Sequence, residues 1–267
     1  MTDDKSIFDL LSLKGRRSLI TGAASGIGKA TALRFGEAGS DLELVDIDLE
    51  RLEEVAKEIR SKYDVEVNIH KIDLSKKSEI DKLWEKLDGR EPDILVNNAG
   101  IYIFKDFIEL TEDFLEKVMR VNLYSVIWMC QHMIKRRLEK GGVIVNVGSI
   151  ESILPFASNL VHYDVSKIGV IGLTRALARE YGGKGFRVNV VIPGGIETEG
   201  VKKLKKETIM KLKIDIMKTG RDFMNRLPMR RMGDPDEVAR VILFLASDLA
   251  SYVNGAAIAV DGGFLSA

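Results

Sequence analysis

Three residues in this chain have the types and the spacing to move a proton. Tyr163 and Lys167 stand four residues apart, and Ser149 precedes the tyrosine by fourteen. On a helix, side chains at i and i+4 leave one face within reach of each other. A free phenol, with a pKa of about 10, is a poor base at neutral pH. A neighbouring ammonium lowers that value. A serine hydroxyl beside the phenol can hold a substrate oxygen, an arrangement that suits proton transfer to or from an alcohol or carbonyl. The same spacing also occurs by chance on surface helices, so the rest of the chain has to decide.

The elements that would position these groups read as strands alternating with helices. Residues 17–21 form a short apolar strand that runs into Gly22, Ser25, Gly26, Ile27 and Gly28, followed by a helical pattern. A strand, a glycine-rich turn and a helix N-terminus bring backbone N–H groups to a phosphate. The glycines follow G-x-x-x-G-x-G, which permits a tight turn and close approach of a pyrophosphate. An ordinary glycine-rich turn is the plainer alternative. The next strand, 42–45, ends at Asp46, eighteen residues beyond Gly28. A carboxylate there accepts hydrogen bonds from a ribose 2′-hydroxyl and repels a 2′-phosphate. Ile47 follows in place of a base, and Ser25 stands where a basic turn residue would meet that phosphate. The expectation is NAD rather than NADP, with a solvated turn residue as the alternative for Asp46.

Amphipathic helix 49–62 leads to strand 65–72 and then Asp73-Leu74. After helix 76–87, the apolar strand 93–96 enters Asn97, Asn98, Ala99 and Gly100, whose amides suit bonding backbone around a crevice. A long helix is expected over 112–138 with Asn122 inside it, although asparagine competes for backbone groups there. Strand 143–147 ends at Gly148-Ser149, and the helix bearing Tyr163 and Lys167 follows. Strand 186–192 stops at Pro193-Gly194. Residues 196–232, rich in Lys and Met, read as a mobile helical substrate lid. Asp234-Pro235-Asp236-Glu237 opens another helix, and 256–260 is the last strand. The expected fold class is α/β, a doubly wound (Rossmann) seven-stranded parallel sheet flanked by helices, in a single domain over 1–267.

The totals exclude several functions. A formal net charge of zero and the lack of a basic tract argue against nucleic acid or an anionic membrane as partner. No run of about 18 apolar residues exists to span a bilayer. The acidic N-terminus lacks a signal-peptide core. The single cysteine, Cys130, falls in an apolar helical pattern and reads as a small buried residue in a reducing cytoplasm. No metal is expected.

Taken in order, these residues closely resemble the short-chain dehydrogenase/reductase family from about Leu13 to Gly263. The match includes Thr21-Gly22-x-x-x-Gly26-Ile27-Gly28, Asn97-Asn98-Ala99-Gly100, Asn122, Ser149, Tyr163-x-x-x-Lys167, Arg187-Val188-Asn189, Pro193-Gly194 and Asp261-Gly262-Gly263. The resemblance implies that Tyr163 is the general acid/base and that Lys167 also binds the nicotinamide ribose. It implies that Ser149 orients the substrate oxygen and that Asn122 holds a water in a proton relay. Thr198 is similar to the family residue that meets the nicotinamide amide, Ile196 joins it in the cofactor set, and Asp73 and Leu74 are similar to the adenine contacts. A homotetramer built on helices 112–138 and 160–182 and the last strand is implied too, with Trp128, Met129 and Met133 as candidate interface residues. One departure is Asp164, whose charge would oppose a phenolate if it faced the site; at i+1 it is expected to point elsewhere on the helix. A non-catalytic member of this fold is the alternative, but such a chain would be expected to have lost one of Asn122, Ser149, Tyr163 and Lys167.

The substrate is the least legible part. Glu151 and His162 are expected to line the pocket and to reward a ligand with several hydroxyls. The segments at 149–151, 161–163 and 195–198 are similar to those of sugar dehydrogenases in the family. A sugar, sugar acid or polyol is therefore favoured. If Glu151 and His162 are instead solvated, Leu154, Phe156, Leu160 and the lid methionines make an apolar slot for a 3-oxoacyl chain or a hydrophobic alcohol.

Overall fold

Seven short runs of apolar residues become parallel strands in the order β3-β2-β1-β4-β5-β6-β7. They are β1 (Arg17–Thr21), β2 (Asp41–Asp46), β3 (Val67–Lys71), β4 (Ile94–Asn97), β5 (Gly142–Val147), β6 (Phe186–Pro193) and β7 (Ala257–Val260). The computed structural model describes residues 5–201 and 214–267, and of residues 214–219 the backbone only. The helices are α1 (Ile7–Leu11), α2 (Gly26–Glu37), α3 (Leu49–Lys62), α4 (Lys77–Lys86), α5 (Glu112–Met119), α6 (Ser125–Arg137), α7 (Val161–Tyr181), α8 (Ile214–Arg226) and α9 (Pro235–Ala246).

Successive side chains of a strand point to opposite faces, and a parallel sheet covered on both faces is apolar throughout. Ile20, Leu44, Val96 and Val145 point to a core shared with α2, α3 and α9. Their neighbours Leu19, Val45, Leu95 and Ile144 point to a second core shared with α4, α6 and α7. The strand order reverses between β1 and β4, which opens a crevice at the carboxyl ends of the strands. The residues expected to do chemistry lie at that end or on the helices packed behind it, Asn122 between α5 and α6 and Tyr163 and Lys167 on α7.

The structure departs from the sequence expectations in the helix 112–138 and in two candidate interface methionines, and it adds an N-terminal helix. The N-terminal arm contains α1, started by a capping box between Ser6 and Asp9. The expected helix 112–138 is split by a π-turn at Arg120–Tyr124 centred on Asn122, where the Ser125 N–H reaches back to the Arg120 carbonyl. Such turns concentrate at functional sites because they re-aim side chains and carbonyls. Met129 and Met133 are buried within the chain, and Met129 Sδ accepts from the Trp84 indole at 3.3 Å. They are core, not free interface. The lid expectation falls partly on 202–213, which lie outside the described residues; 214–226 are helical, as α8. The capped start of α9 follows its sequence signature, with Asp234 and Glu237 forming a capping box and Pro235 in the first turn.

Candidate active site

At the end of β1 the backbone turns so tightly that side chains are excluded. A Cβ on Gly28 would lie 2.0 Å from the Gly22 carbonyl oxygen. Gly22 itself has φ +65°, and a Cβ there would lie 2.8 Å from Asn98 Nδ2. Asn98 holds the turn by donating from Nδ2 to the carbonyls of Thr21 (3.0 Å) and Gly22 (3.1 Å). Thr21 Oγ1 in return accepts from the N–H groups of Asn98 and Ala99. Ser25 starts α2 without a side-chain cap, so the first-turn N–H groups, Ile27 among them, are left for another acceptor. This is a cradle for a pyrophosphate.

Asp46 stands beside it at the end of β2. Its Oδ2 accepts from Ala24 N–H and its Oδ1 from Asp48 N–H, both at 3.0 Å. Each oxygen keeps a second lone pair for a ribose hydroxyl. Ile47 is exposed and brings no charge. Asp73 is committed locally: its Oδ1 accepts from the Ser75 N–H and hydroxyl, and Lys76 lies 3.3 Å from Oδ2. Leu74 points into the second core, which leaves its backbone for any adenine contact. From Pro193, the chain passes Gly194 and Ile196 to Thr198, whose Cγ2 lies 3.1 Å from where a Gly26 Cβ would be. Ile196 pairs with Gly233, and Glu197 N–H donates to the Gly233 carbonyl. This segment therefore leans over the start of α2. The residues present fit a dinucleotide.

The catalytic candidates converge at the end of β5, which lies beyond β4 from β1. Ser149 Oγ accepts from the Glu151 N–H at 3.3 Å and lies near enough to Tyr163 to favour its phenolate. Lys167 Nζ donates to the Val147 carbonyl at 2.9 Å and lies 5.9 Å from the Tyr163 ring centroid. Asn122 Oδ1 accepts from Ile101 N–H, and its Nδ2 donates to the Ile101 carbonyl and to Ser166 Oγ. One lone pair of Oδ1 is left for a water. A Cβ on Gly100 would sit 3.4 Å from Asn122 Oδ1 and 3.5 Å from Lys167 Nζ. That glycine keeps the approach to both open.

The electrostatics differ from the simple expectation for a Tyr–Lys pair. Burial pushes the Tyr163 phenol up to about 12; the Ser149 side chain opposes this, and Glu151 and Asp164 add to it. Burial also brings Lys167 down to about 8. The Lys167 ammonium is directed at the Val147 carbonyl. Asp164, expected to point away, sits close enough to matter, and its Oδ1 is buried with no hydrogen-bond partner among the described residues.

The two residues expected to meet substrate have other partners. The Glu151 carboxylate is buried and accepts from the N–H groups of Phe156 (2.8 Å) and Ala157 (3.3 Å), closing the loop after Ser149. His162 is buried, with Nε2 on the Ile103 carbonyl at 2.8 Å and its ring edge-on to Phe114. Neither is a solvated loop residue. Tyr102, not singled out from the sequence, packs edge-to-face on Tyr163. The available signal was its place two residues after the Asn-Asn-Ala-Gly turn.

The chain is similar to known proteins over nearly its whole length. A family model described as enoyl-(acyl carrier protein) reductase matches residues 22–265. A 3-oxoacyl-(acyl-carrier-protein) reductase of Thermotoga maritima is 39% identical over 263 residues, covering 96% of this chain and 100% of that protein. The 2-dehydro-3-deoxy-D-gluconate 5-dehydrogenase of Bacillus subtilis is 33% identical, covering 97% and 98%. A crystal structure from Beutenbergia cavernae, provisionally described as an NAD(P)-dependent gluconate 5-dehydrogenase with bound NADP, superposes with a TM-score of 0.87 at 33% identity, covering 97% and 100%.

Proposed function

We propose, from the premise that this chain belongs to the short-chain dehydrogenase/reductase family, that it oxidises a sugar, sugar acid or polyol at a secondary or anomeric hydroxyl with NAD. The coarser activity, alcohol–carbonyl oxidoreduction with a pyridine nucleotide, comes with the family. The observation that carries the proposal is the convergence of the four catalytic candidates: Lys167 donates to the Val147 carbonyl two residues before Ser149, Asn122 bonds Ser166 on the helix that bears Tyr163, and Gly100 lies against both Asn122 and Lys167.

Bound NAD would supply the hydride acceptor and a positive charge at the nicotinamide. Ser149 holds the substrate oxygen, and Tyr163 removes its proton as the carbon loses hydride. Lys167 stabilises the phenolate once its ammonium turns from Val147, and it can pass the proton on toward a water at Asn122. Gly22, Gly26 and Gly28 admit the pyrophosphate, Asp46 meets the ribose hydroxyls, and Asn98, Ala99 and Gly100 floor the nicotinamide side. Pro193, Gly194, Ile196 and Thr198 cover it. Asp46 supports NAD because a carboxylate there repels a 2′-phosphate, although the Beutenbergia neighbour carries NADP.

The gluconate-type relatives favour the polyhydroxy substrate. The 39% identity to the Thermotoga protein favours a second reading, 3-oxoacyl reduction. A panel of aldoses, polyols, sugar acids, hydroxyacyl thioesters and simple alcohols, assayed with NAD and with NADP by absorbance of the reduced nucleotide, separates them. Oxidation of a sugar or sugar acid with NAD supports the proposal. Turnover of a 3-hydroxyacyl thioester with no sugar activity would replace it.

A homotetramer in the cytoplasm completes the proposal. Val161, Val165 and Ile168 expose an apolar stripe on α7, which supports packing against another copy. A monomeric mass by light scattering at micromolar concentration would remove that part.

A further inference from the structure

The segment after Gly100 is pinned at three points. Asn122 clamps both backbone groups of Ile101. His162 Nε2 bonds the Ile103 carbonyl. Lys105 N–H donates to the carbonyl of Asn159, which adopts the left-handed conformation at φ +66°. Between these pins a single side chain, Tyr102, is delivered onto the catalytic tyrosine. Its ring lies 4.9 Å from that of Tyr163 at 88°, braced from another side by Phe104 at 5.2 Å and 82°. Edge-to-face pairs of this kind are favourable in themselves. Yet 43% of Tyr102 stays exposed, so packing does not use the whole ring.

A substrate oxygen bonded to the Tyr163 hydroxyl sits about 2.7 Å from it. Tyr102, packed edge-to-face on Tyr163 and only partly covered, is the side chain that this segment presents beside such an oxygen. We propose that Tyr102 is a specificity-determining residue that contacts the substrate skeleton beside the reacting carbon and selects a compact hydroxylated one. Its ring offers an apolar surface to C–H groups, and its hydroxyl can donate to or accept from a neighbouring substrate hydroxyl. His162, buried beneath the segment, is a positioning residue that holds Tyr102 in place through Ile103. This inference rests on the assignment of Tyr163 as acid/base.

The test compares Tyr102→Ala and Tyr102→Phe with the wild type on the same substrate panel with NAD. For Tyr102→Ala, kcat/KM for the best polyhydroxy substrate should fall about tenfold or more relative to a simple secondary alcohol, while KM for NAD stays within about twofold. Tyr102→Phe keeps the ring and should lose only the part carried by the hydroxyl. If Tyr102→Ala fails to fold, Tyr102→Leu reads the same ratio. An unchanged ratio across the panel, or an equal loss on every substrate together with a weaker NAD, makes Tyr102 structural and overturns the proposal. If wild-type enzyme prefers an acyl thioester while Tyr102→Ala still shifts selectivity, the substrate reading fails and the residue's role stands.

Discussion

The nucleotide cradle and the candidate substrate wall are built at the same carboxyl end of the sheet by opposite means. In the cradle, backbone does the work, and glycines stand where a Cβ would collide with it, as at Gly22 and Gly28. The polar side chains there are spent on the turn itself, Asn98 on Thr21 and Gly22, Asp46 on Ala24 and Asp48. In the wall, large side chains do the work. Tyr102, Glu151 and Asp164 act on Tyr163, with His162 holding the segment behind Tyr102, and two of these four keep a buried polar atom, His162 Nδ1 and Asp164 Oδ1, without a hydrogen-bond partner among the described residues. Unsatisfied buried groups cost stability and persist where a site needs them. In the proposed reading the cradle is a mould for the nucleotide, and the wall is the part free to vary with the substrate.

The comparison breaks most visibly at Gly28. Adding one methyl group in Gly28→Ala forces the turn apart, and NAD affinity should drop about 100-fold or more by isothermal titration. Unchanged affinity would mean that the turn is not a mould. The next effect is on cofactor choice. Asp46→Ser with Ile47→Arg removes the repulsion and adds a phosphate partner, so the ratio of kcat/KM for NAD to that for NADP should fall about 10–100-fold. A wild-type preference for NADP would show that Asp46 does not face the ribose.

The smallest effect sharpens the wall. Burial first, and the Glu151 charge second, push the Asp164 carboxyl up to about 7. A folded value above the unfolded one means that the folded state holds this proton more tightly. Stability is therefore lost as pH rises from about 4 to 7 and stays lower beyond it. Asp164→Asn removes that loss, so its melting temperature should exceed wild type by about 2–4 °C at pH 8 and converge with it below pH 4. The same substitution removes a charge that raises the Tyr163 phenol, so the alkaline rise of kcat should move to lower pH. A gain that is equal at both pH values would mean that Asp164 is not strained by its surroundings.

Sequence spacing exposed the cradle because its constraints are local. A glycine that must avoid its neighbour's carbonyl, or a carboxylate closing a strand, is written within a few residues. Strand alternation and the Asp234 cap were legible for the same reason. The wall depends on contacts between distant segments. Nothing near Glu151 announces that its carboxylate folds back onto Phe156 and Ala157. The expected helix over 112–138 carried one anomaly, Asn122, and the π-turn sits there. Periodicity could mark the anomaly but not its geometry. The spacing of Tyr163 and Lys167 only nominated them, and the resemblance along the whole chain gave them roles, whereas their pKa values follow from burial, which neither reveals.

The most direct test of the account is Tyr163→Phe, assayed for kcat on the best panel substrate, with NAD affinity and circular dichroism as controls. The substitution deletes one hydroxyl and leaves the ring packed against Tyr102. The account predicts a fall in kcat of about 10²–10⁴-fold with fold and NAD binding retained. A variant within about tenfold of wild type would place the proton-transfer group elsewhere and contradict the account.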